Sequence, residues 1–270
     1  MNIRRRLPDP CIISFALVGG LVLALTVLAF LSITARELSD IPYLISVAME
    51  ARVIQTILLT MGAGLNTILI LLVVGTPLAY ILARMEFPGK GIVEGIVDIP
   101  VMLPHTVAGI LVYILFMSRG LLGAPLSQIG LVFEDAYPGI VVAMFFVSSP
   151  YYINTVREGF EKVPLHLENV ARTLGATRFW AFLRVTLPLS ARHIFNGSIM
   201  AWGRAIGEFA AVIMIAYYPM VISTLIYYEF TTDGIDASSA VAFLMIIACF
   251  TAFVLLRLAM RWVGRYDDRV

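Results

Sequence analysis

The chain has 270 residues, 60% of them apolar and 14% charged, with a net charge of +1. Soluble domains run near roughly 45–50% apolar and about 25% charged, so the composition excludes a water-soluble class and leaves a membrane protein. The near-zero net charge gives no basic field of the kind that draws nucleic acid.

Six apolar runs follow in order, at 11–33, 54–83, 96–118, 138–156, 194–218 and 238–260. Each approaches or exceeds the roughly 20 residues that a membrane-spanning helix needs. The first follows Arg4, Arg5 and Arg6. It is longer than a signal-peptide core and no small-x-small cleavage site follows, so it is expected to stay as an uncleaved helix. The second ends in GTPLAYILAR, and the third begins DIPVMLPHT, where Pro100 and Pro104 predict a bend. That bend reads either as simple helix geometry or as a feature of a transport pathway. The fourth run is interrupted by Ser148, Ser149 and Pro150, and the fifth carries two charges. Cys11 and Cys249 fall inside apolar runs and read as buried thiols, with no disulfide or metal. No internal repeat appears, the tail after the sixth run is short, and residues 1–270 are expected to form one helical domain.

Lys and Arg set the orientation. With the N-terminus inside, fifteen of the 19 basic residues fall in inner segments, from Arg4 through the 157–192 stretch to Arg265 and Arg269. The outer loops hold Arg36, Arg52 and Arg119, and Arg204 lies within the fifth run. Both termini and the 157–192 stretch are therefore expected in the cytoplasm. The third outer loop, 219–237, carries only acidic charges, Glu229, Asp233 and Asp236.

Between the fourth and fifth runs lies EKVPLHLENVARTLGATRFWAFLRVTLP, residues 161–188. Pro164 suits a first helical turn. Leu167, Val170, Ala171 and Leu174 recur at i, i+3, i+4 and i+7, a one-sided apolar stripe. Gly175 fits a left-handed helix end. Thr177 can cap a second short helix carrying Phe179, Trp180, Phe182 and Leu183, and Pro188 closes the stretch. From the residues alone this is either a helix lying on the membrane or one inserted in a partner's groove.

The stretch resembles the E-A-A signature of ABC-importer permeases: E-A-A, three residues, Gly, nine residues, Ile-x-Leu-Pro. Asn169, Val170 and Ala171 stand at the E-A-A positions, and Gly175, Val185, Leu187 and Pro188 at the others. The departures are Asn169 for Glu and Val170 for Ala, with Glu168 next door facing a different direction. The resemblance implies that Leu167, Glu168, Asn169, Val170, Ala171, Leu174 and Gly175 dock in a cleft of a cytoplasmic ATPase subunit. The chain has no GxxxxGK[ST] phosphate loop. It therefore binds no nucleotide cofactor of its own, and ATP and Mg²⁺ are expected on the partner.

Arg204 and Glu208 lie in GRAIGEFAA, four residues apart and so on one helix face. A charge at a span centre costs about 2.5–3.5 kcal/mol, so the pair either locks packing or lines a pathway or gate. GRAIGEFAA resembles the fifth-span motif of molybdate, tungstate and sulfate permeases. DIPVMLPHTVAGILV resembles their LP-x-TVAG pattern, with His105 where proline is common. Thr106, Asn196 and Ser198 are further candidates for the pathway lining. His105, His166 and His193 have no ligand partners at metal spacing and read as structural or surface residues. No HExxH or GxSxG motif points to an enzyme.

These resemblances, over residues 60–215, imply an all-α type I ABC-importer permease with six transmembrane helices in the cytoplasmic membrane. They imply a homodimer, two cytoplasmic ATPase subunits and an extracytoplasmic oxyanion-binding protein. The cargo expected is molybdate or tungstate, with sulfate as the alternative. An ion-coupled secondary transporter predicts two similar halves with broken helices, which are not found. A purely structural scaffold leaves the Arg204–Glu208 pair without a use beyond packing.

Overall fold

A computed structural model describes residues 10–264, so the expectations resting on Arg4–Arg6, Arg265 and Arg269 lie outside the described residues. All regular elements described are helical. They begin with α1 (Pro10–Glu37), a 3₁₀ turn, α2 (Ile41–Ala48), α3 (Ala51–Ile70), α4 (Thr76–Arg84), α5 (Lys90–Met102) and α6 (His105–Phe116). There follow α7 (Gly123–Gln128), α8 (Tyr137–Lys162), α9 (Leu165–Thr173), α10 (Arg178–Ala181) and α11 (Leu187–Leu189). The last four are α12 (Ala191–Ile206), α13 (Ala210–Ile215), α14 (Ile222–Thr232) and α15 (Ile235–Gly264). Two π-helical turns, Leu71–Gly75 and Phe182–Thr186, sit just ahead of Pro77 and Pro188. There they take up the backbone disruption that proline imposes.

Among the described residues, four helical stretches are long and apolar enough to cross a membrane: Ser14–Ala48, Ala51–Arg84, Tyr137–Lys162 and Ile235–Leu258. They match the first, second, fourth and sixth expected runs. The other two runs are not straight spans. The third is a bent pair, α5 and α6, meeting at 115°. Proline disfavours helical backbone in the residue before it, and Leu103, before Pro104, is extended (φ −78°, ψ 143°). The fifth breaks at residues 207–209 between α12 and α13.

The fourth run is continuous despite its interrupted sequence. Pro150 is buried inside α8 and cannot donate to the carbonyl of Phe146. The Ser149 hydroxyl donates to that carbonyl instead, at 3.1 Å. With its donor replaced, α8 is the central helix and packs against α3, α4, α5, α6, α12 and α13.

Three apolar clusters surround α8 or flank it. One joins α6, α8 and α13 through Val112, Met144, Val147 and Val212. One joins α3, α14 and α15 through Val53, Leu225 and Val241. One joins α3, α4, α8 and α12 through Ile68, Leu82, Phe160 and Ala201. The segment 219–237, expected as an outer loop between the fifth and sixth runs, is largely helix α14. The Ile222 amide, at its start, donates to the Thr60 hydroxyl at 2.8 Å. Buried Thr224 and Leu225 face inward. At eleven residues of mixed polarity, α14 is too short and too polar to read as a membrane span.

Most of α1 is exposed along its length, and its polar ties to α15 lie at its end, Arg36 with Asp236 and Glu37 with Ser239. Cys11 is accordingly exposed and Cys249 half-buried, neither being the fully buried thiol expected. Between α6 and α8, Glu134 accepts from the Ser118 hydroxyl and amide and from Tyr113. The Ser118 donors foremost hold its carboxyl below the ordinary carboxylate range.

Gly109 permits the closest approach of α6 to α13. A Cβ there would meet the Ala211 backbone at 2.7 Å and the Met214 Cβ at 2.8 Å. Backbone cannot yield as a side chain can, so Gly109→Ala is expected to cost about 1–3 kcal/mol. A lowered thermal unfolding midpoint in detergent measures it; an unchanged midpoint contradicts the packing.

Candidate functional site

Two groups of side chains merit attention, one at each end of the long loop-and-helix segment that follows α8. The first is the projection formed by α9 and α10. Pro164 stands at the N-cap of α9 and Gly175 ends it with φ +94°. The Gly175 amide donates to Arg172 O at 3.0 Å and the Ala176 amide to Ala171 O at 3.1 Å. These are the two bonds of a Schellman helix end. The Thr177 hydroxyl then accepts from the Trp180 amide at 3.3 Å and caps α10. Gly175 and Thr177 therefore form the double helix turn that their residue types predict.

The projection is tied down through Glu168. Its Oε1 accepts from Arg84 Nε at 2.9 Å and from the Thr186 hydroxyl at 2.6 Å. Its Oε2 accepts from the Tyr80 hydroxyl at 2.9 Å. Arg84 also donates to the Val163 carbonyl at 2.8 Å, ahead of α9. Both partners of the ion pair are largely buried. Rings of Tyr80, Phe160 and Phe182 pack edge-on around the same root.

Glu168 thus corrects the sequence expectation. The resemblance groups it with the docking residues, but it faces the end of α4 and the π-helical turn Phe182–Thr186, and has no exposed carboxylate to offer a partner. Leu167 and Ala171 are half-buried on the same side. The exposed apolar face is Val170 and Leu174, the latter 83% exposed, with Leu165, Phe179 and Trp180 beside them. Asn169 and Gly175 are also exposed. Arg184 stacks over the Trp180 ring, 4.7 Å from its centre.

The second group lies where α12 breaks. Arg204, in the last turn of α12, pairs with Glu208 at 2.5 Å. Glu208 lies in the break itself, and its other oxygen accepts from the Ala211 amide at 2.8 Å. The Ser223 hydroxyl donates to the Glu208 carbonyl at 3.0 Å. The charge pair at four-residue spacing is therefore formed, but not within a continuous helix. The carboxylate caps the start of the next segment.

His105 joins this pair. Both its ring nitrogens are 2.9 Å from Arg204 Nη2, and Nδ1 is 3.4 Å from Glu208 Oε2. His105 opens α6, so the bend after Leu103 delivers it to the break in α12. The sequence reading gave it only a structural or surface role. The signal was present, a histidine directly after the helix-breaking Pro104, but its partners stand 99 and 103 positions away.

Of the other pathway candidates, Thr106 is exposed beside His105 and Asn196 is exposed on α12. Asn196 is eight residues from Arg204, roughly 12 Å along the helix. Ser198 differs. Its hydroxyl donates to Ile194 O within its own helix at 2.8 Å, and at two residues' spacing it points roughly 200° around the helix from Asn196. The two do not share a face.

Residues 75–268 match the family described as binding-protein-dependent transport system inner membrane component. The chain is 39% identical over 243 residues to the molybdate/tungstate transport system permease protein WtpB of Thermococcus kodakarensis, covering 90% of this chain and 93% of that one. It is 28% identical over 200 residues to the sulfate transport system permease protein CysT of Synechocystis, covering 73% and 70%. A crystal structure of a bacterial ABC transporter involved in the import of the acidic polysaccharide alginate matches with a TM-score of 0.69. Identity there is 20%, over 94% of this chain and 97% of that one. That likeness shows the fold, an ABC-importer permease of type I.

Proposed function

The chain belongs to the binding-protein-dependent transport system inner membrane component family, and on that premise we propose that it is the permease subunit of an ATP-driven importer of molybdate or tungstate. It is a multi-pass membrane protein. In this reading it spans the cytoplasmic membrane six times with both termini inside, the bent pair α5–α6 and the broken pair α12–α13 serving as the third and fifth crossings. It works as a homodimer with two cytoplasmic ATPase subunits, which hold ATP and Mg²⁺, and an extracytoplasmic binding protein that delivers the anion. The greater identity to the molybdate/tungstate relative favours that cargo over sulfate.

The observation that carries the proposal is the anchored projection. A short two-helix element presents Val170, Leu174, Phe179 and Trp180 outward while Glu168 fastens its root to Arg84, Tyr80 and Thr186. An apolar surface on a rigid base suits the groove of a soluble partner. When the ATPase subunits close, the projection moves with them. The Glu168 clamp carries that displacement into α4 and the Phe182–Thr186 turn, and so to the spans. The Arg204–Glu208 pair, at the break in α12, lies where two segments can shift against each other, and serves as a gate.

The test is the double substitution Val170→Ser with Leu174→Ser. Burial of a leucine or valine is worth about 1.5–3 kcal/mol, so ATPase affinity is expected to fall at least about tenfold. Uptake per ATP hydrolysed falls with it, while the solubilised chain keeps its unfolding midpoint because both side chains are exposed. Unchanged affinity and uptake in this variant would remove the docking assignment.

A further inference from the structure

We propose that His105 is a specificity-determining residue of the translocation path: with Arg204 it forms a two-donor station for a tetrahedral oxyanion, and Glu208 is the internal anion that the cargo displaces. The inference rests on the oxyanion-permease reading and names the residues that meet the cargo.

The three side chains are graded in exposure. Glu208 is 2% exposed, Arg204 21% and His105 42%. The cluster is therefore most open at the histidine and closed at the carboxylate. An incoming anion reaches His105 first, Arg204 second and Glu208 last.

The bonding is uneven in the way a displaceable contact requires. Glu208 is fixed from behind by the Ala211 amide, and its backbone carbonyl is held by Ser223. Only Oε2 faces Arg204, so the carboxylate cannot follow the guanidinium if it swings. A competitor has one oxygen to replace. Arg204 presents a planar fork suited to two oxygens of a tetrahedral anion.

His105 is the most exposed member. Arg204 has no acceptor, so the ring nitrogen bonded to it accepts and the other nitrogen carries the hydrogen. Nδ1 also stands 3.4 Å from Glu208 Oε2, a long and weak contact, and the ring nitrogen that does not accept from Arg204 carries an N–H. A modest ring rotation turns that N–H to an anion on the exposed side. His105 also begins the twelve-residue helix α6, whose partial positive start adds to the attraction.

The charge balance explains the design. With Glu208 in place the station is neutral, so it does not hold a divalent anion permanently. Cargo binds by exchanging with a tethered carboxylate and leaves when the carboxylate returns. Transport needs this reversibility, which a free Arg–His pair in a low-dielectric site would lack.

The experiment uses the permease assembled with its ATPase in proteoliposomes, with binding protein loaded with molybdate or tungstate. Uptake per ATP hydrolysed is compared for wild type, His105→Gln and His105→Leu. Leucine keeps the bulk and removes the donor; glutamine keeps a donor. A lost hydrogen bond to a charged group is worth roughly tenfold or more. His105→Leu is therefore expected to fall about tenfold in coupled uptake, and His105→Gln to recover most of it. Should the leucine variant not assemble, His105→Met supplies the donor-free side chain. Leucine or methionine transporting as well as glutamine overturns the role of His105, because packing alone then suffices. A wild-type complex that moves none of molybdate, tungstate and sulfate with ATP refutes the oxyanion reading itself, and the two failures are distinguishable.

Discussion

Glu168→Ala is expected to abolish coupled transport and to lower the unfolding midpoint of the solubilised chain sharply. The carboxylate is the shared acceptor of Arg84, Tyr80 and Thr186. Its removal leaves the Arg84 guanidinium, only 10% exposed, with the Val163 carbonyl but no counter-charge. Breaking a buried pair from one side costs about 3–5 kcal/mol. The projection would still be helical, since its Schellman end and Thr177 cap are local. It would no longer be fixed to α4 and the Phe182–Thr186 turn. ATPase binding should therefore survive better than uptake, the reverse of what the Val170 and Leu174 variant shows in binding. The two readouts, ATPase co-purification and uptake per ATP, separate anchoring from docking. Full coupling in Glu168→Ala would contradict the clamp.

The second large effect is expected at the break in α12. Glu208→Ala leaves the largely buried Arg204 with His105 but no charge partner, again about 3–5 kcal/mol, and deprives the Ala211 amide of its side-chain acceptor. Arg204→Ala strands the carboxylate instead. The double variant removes both charges and is expected to be more stable than either single one, with a coupling energy of about 1–3 kcal/mol in a double-mutant cycle. Folded yield in membranes and the unfolding midpoint in detergent give the cycle. Additive losses would show that the pair is not coupled.

Much of this architecture is readable from periodicity and composition. The runs that became Ala51–Arg84 and Ile235–Leu258 are uniform apolar windows, and nothing nearby competes with helix. Gly175 and Thr177 are also legible, because a left-handed glycine and a capping threonine act within four residues. The failures come from long-range partners. Ser148, Ser149 and Pro150 read as an interruption of α8, yet the serine hydroxyl supplies the bond that proline cannot. Glu168 stands among docking residues in the sequence, and only the arrival of Arg84 and Thr186 turns it inward. The fifth run reads as one helix because the chain does not reveal that the Glu208 carboxylate will cap a new turn at Ala211. His105 has no acidic or basic neighbour in sequence; the bend at Leu103 and Pro104 brings it to Arg204.

The central claim is that this chain converts ATP hydrolysis on another polypeptide into movement of an oxyanion. It is tested most directly by ATP hydrolysis in liposomes that contain the chain assembled with its ATPase, on addition of binding protein loaded with molybdate, tungstate or sulfate. The account predicts stimulation by the molybdate- or tungstate-loaded protein with matching uptake. Absence of ATPase association, with uptake driven by an ion gradient alone, would contradict it.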